Sequence, residues 1–132
     1  MSVFYPKASK TIVGHKAVRA VAVFPHIDPS NFEEFCALAS QMMQVIRKQD
    51  SILSYDMFFS DNNTRCTVLE EFASPEGVFE HVKANADLLE QMSKLGGKIE
   101  GNIFPIDQEG TALDEIRSNW DSTFHNHFLG KN

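Results

Sequence analysis

Residues that build specialised sites are scarce in this chain: among 132 residues there are two cysteines, one tryptophan, five prolines and seven glycines. Cys36 and Cys66 lack the C-x-x-C spacing of a metal or redox site and fall in segments that read as helix and strand. Free, buried thiols are expected, as suits a cytoplasmic protein. There is no glycine-rich phosphate loop and no G-x-S-x-G elbow, so NAD, FAD and ATP sites and a serine nucleophile are unsupported. Basic residues are scattered, 12 Lys and Arg against 18 Asp and Glu, for a net charge of −6. No nucleic acid and no membrane partner is expected, because both require clustered cations. No apolar run approaches the roughly 20 residues of a membrane-spanning helix. The opening stretch MSVFYPKASKTIVG lacks the apolar core and cleavage site of a signal peptide. Residues 1–14 read as an arm whose Val3, Phe4 and Tyr5 need a covering surface, which points to a dimer contact.

What the chain does have is apolar residues at 42% and eleven phenylalanines, enough for one domain to bury a core without disulfides or a structural metal. One domain over 1–132 is expected. Residues 15–24, HKAVRAVAVF, read as a strand, and HIDPS closes it. Ser30 and Glu33 have capping-box spacing. Phe32, Phe35, Ala39, Met42 and Ile46 then recur at three and four, as on one face of a helix. Past Asp50 the period becomes two: strands over 52–59 and 65–72 flank the turn SDNNT, with Leu53, Tyr55, Met57 and Phe59 sharing one face. On the partner strand Cys66, Val68, Glu70 and Phe72 share a face. Ser74 and Pro75 start a second helix that Gly96 and Gly97 end, with an apolar stripe of Phe79, Val82, Ala86, Leu89 and Met92 and His81 at its edge. KIEGNIFPI is a fourth strand, and residues 108–132 hold a short helix around 112–120 and the tail FHNHF.

Strand, helix, strand, strand, helix, strand is the ferredoxin-like βαββαβ order, an α+β fold with one antiparallel sheet and two helices on one face. Both faces of the strands carry large apolar groups, so the face without helices also needs cover. A second copy of the chain is the simplest source, and a homodimer is expected.

The run SILSYDMFFSDNNTRCTVLEEFASPEGVFEHVKAN resembles the antibiotic biosynthesis monooxygenase family of dimeric α/β barrels, through Tyr55, Asp61, Arg65, Glu70, Glu71, Phe72 and His81. The resemblance spans roughly residues 15–105. It implies a homodimer whose two sheets form a barrel, with a mostly apolar cavity between sheet and helices. It also implies chemistry among three kinds: oxidation of polycyclic phenols or quinols by molecular oxygen without a cofactor, haem degradation, or isomerisation of small phosphorylated signals. Haem-degrading relatives carry a tryptophan near the position of His81 and a ligating histidine near that of Gln91. Here the only tryptophan is Trp120, which disfavours that chemistry. Quinol-oxidising relatives often have a second histidine where Ala86 stands.

The expected function is cofactor-independent oxidation of a small aromatic, quinol-like or polyphenolic substrate. In that scheme His81 takes or relays a proton, because imidazole exchanges protons near neutral pH. Tyr55 or Asn102 holds a substrate oxygen, and Glu70 orients the histidine; a buried Glu70 carboxylate needs Arg19 or His81 as its partner, or stays protonated. Arg19 is a candidate for binding an anionic substrate group. No cofactor and no metal are expected; His125 and His127 could share a strand face, but no third ligand accompanies them. The alternatives are a non-catalytic ligand-binding barrel and an isomerase of a small hydroxy-ketone.

Overall fold

The computed structural model describes residues 17–106 and 110–131. The proposed arm 1–14 lies outside them. Strand β1 (Val18–Phe24) is followed by a 3-10 turn (Pro29–Asn31), helix α1 (Phe32–Ile46), the hairpin of β2 (Ile52–Phe59) and β3 (Cys66–Phe72), helices α2 (Pro75–Ala84) and α3 (Ala86–Gly96), and β4 (Glu100–Pro105). Helix α4 (Thr111–Asn119) and a short β5 (Ser122–Phe124) complete the order. The strands lie β2-β3-β1-β4-β5. Neighbours among the first four are antiparallel, which is the ferredoxin-like sheet, and β5 adds a parallel edge on β4.

Several local expectations are corrected. Ser30 and Glu33 form no capping box, since Asp28 accepts from the Ser30 amide at 2.9 Å and from its hydroxyl at 2.7 Å, making the 3-10 turn ahead of α1. An irregularity in the β2–β3 ladder between Ile52 and Ser54 turns Leu53 out to solvent, so Leu53 does not share the face of Tyr55, Met57 and Phe59. The single second helix is two helices, broken at Asn85 (φ −116°, ψ 17°). Its buried stripe is Val78, His81, Asn85 and Met92, rotated from the predicted one, and Ala86 is exposed.

The helices cover one face of the sheet and bury two adjoining clusters. Phe24, Phe35, Met42, Cys66, Val68 and Met92 form one beneath α1 and α3. Val18, Phe72, Val78, Ile103, Leu113 and Ile116 form the other, beneath α2 and α4. Each fully buried phenylalanine or leucine contributes about 1.5–3 kcal/mol. Gly96 ends α3 where a Cβ would stand 2.9 Å from the Phe35 ring, so only glycine lets the helix end approach β1 this closely. Gly97 follows in the left-handed region at φ 88°. Both cysteines are free; Cys66 is fully buried, and burial pushes its thiol up to about 11.

Candidate active site

Tyr55 on β2 and Glu70 on β3 are directly opposite in the ladder, so both side chains rise from the helix-covered face. Phe72, two residues beyond Glu70, shares that face. Above them α2 presents His81, only 3% exposed, whose ring packs on Tyr55 at 5.1 Å and on Phe72 at 5.8 Å between centroids. Tyr55 packs with the first cluster and Phe72 belongs to the second, so the imidazole sits on the seam between them.

Polar groups here are deprived of water and only partly compensated. The Tyr55 hydroxyl donates to Met42 Sδ at 3.6 Å, a weak acceptor, and burial, with the Glu70 carboxyl adding, holds its phenol well above the usual range. The Glu70 carboxyl has no hydrogen-bond or ion-pair partner among the described residues, and burial pushes it up to about 8. Burial likewise lowers His81 to about 4. Glu70 and Tyr55 lie deep in the fold yet each retains some accessible surface, Glu70 at one recess of the sheet and Tyr55 at another. His81 bonds Asn85, whose Nδ2 stands 3.2 Å from Nδ1 and 2.9 Å from the His81 carbonyl.

Two recesses flank the sheet. A cleft of about 390 Å³ between the end of α1 and β2, lined by Met43, Ile46, Gln49, Ile52 and Leu53, reaches Tyr55. Gln49 Oε1 is buried without a partner. A larger groove of about 440 Å³ lies on the uncovered face beneath the tail, where Arg19, Val21, Leu69, Phe104, His125 and His127 line it. Glu70 also lines this groove, whereas of the three clustered groups only Tyr55 lines the smaller cleft, and His81 lines neither. We therefore place the candidate site at the cluster itself, where a neutral carboxylic acid and a neutral imidazole flank the Tyr55 phenol beneath α2, reached by the smaller cleft at Tyr55 and by the groove at Glu70.

The five residues singled out in the sequence do not converge on one cavity. His81, Tyr55 and Glu70 come together under α2. Arg19 and Asn102 emerge on the opposite face, as their positions in β1 and β4 require. Arg19 pairs with Glu71 at 3.6 Å and not with Glu70, and Asn102 bonds His125 Nε2 at 3.0 Å through its Oδ1. His125 also stacks on Phe104 at 4.4 Å. Asn85 is the site residue that sequence reading missed. Its i+4 spacing from His81 was the available signal.

No protein-family model matches the sequence, and no curated protein does. Solved structures do. MupZ from Pseudomonas fluorescens superposes with a TM-score of 0.75 at 17% identity, over 89% of this chain and 94% of that one. A protein described as an antibiotic biosynthesis monooxygenase gives 0.57 at 16% identity, over 65% and 92%. A conserved protein from Methanosarcina mazei gives 0.65 at 20% identity, over 72% and 97%. This chain has the antibiotic biosynthesis monooxygenase fold. At these identities the likeness is one of fold alone.

Proposed function

We propose that this protein oxidises a small aromatic, phenolic or quinol-like compound with molecular oxygen, using no organic cofactor, and works as a homodimer. The carrying observation is the pair of buried groups driven in opposite directions, Glu70 up to about 8 and His81 down to about 4, beside Tyr55. A phenol or enol with a proton of similar acidity transfers it efficiently to the Glu70 carboxylate. The resulting phenolate or carbanion supplies the electrons for dioxygen. One oxygen atom enters the substrate and the other leaves as water with two substrate hydrogens, so no external reductant is required. His81, uncharged at neutral pH, contacts a substrate oxygen through hydrogen bonding, and Tyr55 stays a neutral donor. The proton acceptor in this scheme is thus Glu70, in place of the histidine favoured by sequence.

The dimer is supported by the uncovered face, where Phe58 is 54% and Leu69 45% exposed. Association through this face closes a barrel and leaves the cleft at Tyr55 open.

The test is oxygen consumption with a panel of anthrones and quinols across pH. Wild type is expected to show uptake that rises through pH 8. Glu70→Gln is expected to lower it about 100-fold or more and abolish the inflection. Absence of uptake with every substrate, in a folded dimer, overturns the proposal in favour of a ligand-binding barrel.

A further inference from the structure

We propose that Asn85 is a positioning residue: its amide holds His81 in the tautomer protonated on Nε2, so that the imidazole meets a ligand as a hydrogen-bond donor. The inference rests on the function proposed above only for what that donor contacts.

Two distances fix the tautomer. Asn85 Nδ2 lies 2.9 Å from the backbone oxygen of His81, and a carbonyl can only accept. That contact assigns the amide orientation, because the reversed amide would press Oδ1 against the carbonyl in the interior. The same NH2 group lies 3.2 Å from His81 Nδ1. A donor-only group there requires a lone pair on Nδ1, which leaves the ring proton on Nε2. Nε2 itself has no hydrogen-bond partner among the described residues.

The arrangement is not what stability alone would select. Asn85 is 1% exposed in a stripe otherwise filled by Val78, His81 and Met92, and it interrupts the helix. Its side chain competes for a backbone carbonyl that already accepts from the Asn85 amide at 3.1 Å. Its Oδ1 is left buried with no partner. An unpaired buried acceptor is unfavourable, and an apolar residue at this position would avoid it. What the asparagine provides is a defined direction for the imidazole. Tyr55, the titratable group packed against the ring, and Glu70, opposite Tyr55 on β3, form no hydrogen bond to it.

The experiment is nitrogen-15 NMR of the histidine rings in the full-length protein, with Asn85→Asp and Asn85→Ala beside wild type and circular dichroism as the folding control. Wild type is expected to show a pyridine-like Nδ1 and a pyrrole-like Nε2 at His81. In Asn85→Asp the carboxylate accepts from Nδ1–H, so the signature reverses and the His81 titration moves up by about one pH unit or more. In Asn85→Ala the signature becomes a mixture of tautomers. A protonated Nδ1 in neutral wild type overturns the inference, even if neither variant folds. So does a folded Asn85→Asp with an unchanged signature. The spectra need no substrate, so absent oxygen uptake would remove the proposed reaction and leave the assignment of Asn85 intact.

Discussion

The two faces of the sheet differ in what their polar groups are allowed to touch. On the helix-covered face, Tyr55, Glu70 and His81 have lost water and gained few partners, and burial displaces all three toward their neutral forms. On the uncovered face, Arg19 meets Glu71 and Arg65 meets Glu100 with half or more of each arginine side chain in solvent. Pairs of that kind are screened and contribute little. The same strands supply both sets, since successive side chains alternate. Low dielectric, and not residue type, makes one carboxylate a candidate base and its neighbour in sequence a surface counter-ion.

Four perturbations sharpen this contrast, in descending order of expected effect. Phe72→Ala removes a fully buried ring that supports His81, and is expected to cost about 3–5 kcal/mol in urea unfolding. An exposed-face truncation such as Phe58→Ala is expected to cost far less in the same assay at concentrations where the protein is monomeric. Next, Leu69→Glu places a charge in the groove of the uncovered face and is expected to weaken dimerisation on the order of 100-fold, measured by light scattering across a dilution series. A dimer that persists unchanged would mean another surface joins the two copies.

The third perturbation is pH. Glu70 binds its proton more tightly folded, at about 8, than its ordinary 4.5, so stability falls as pH rises between those values. His81 is shifted the other way, from 6.5 to about 4, so stability falls as pH drops through that interval. Melting temperature is therefore expected to decline on both sides. Glu70→Gln is expected to flatten the alkaline limb between pH 5 and pH 9. An alkaline limb unchanged in that variant would mean the carboxyl is solvated. The smallest effect belongs to Arg19→Ala, at about 0.5 kcal/mol or less, because its ion pair with Glu71 is exposed. A loss above about 2 kcal/mol there would break the contrast between the faces.

Much of the fold was legible because periodicity is local. The alternation in ILSYDMFF and RCTVLEEF set both hairpin strands to within one residue of their bounds, and Pro75 and Gly96 marked helix limits that the backbone observes. Local pattern failed where a side chain competed with the backbone. Asp28 took over the turn expected from Ser30, and Asn85 broke a helix that its apolar spacing ran straight through. The spacing in the tail FHNHF would align two histidines on one face of a strand, yet β5 ends at Phe124 and His125 turns onto Phe104 and Asn102.

The sequence by itself determined the order of the first four strands and of the helical segments between them, their antiparallel pairing and the apolar character of both faces of the sheet, since these follow from residue types two to four apart along the chain. Only the tertiary structure decided which polar residues come together. Strand register sent Arg19 and Asn102 to one side of the sheet and Glu70 and Tyr55 to the other, and the rotation of α2 brought His81 down onto the latter pair. The displaced acid and base exist because elements distant in sequence close over them and exclude water, and no residue carries that exclusion alone.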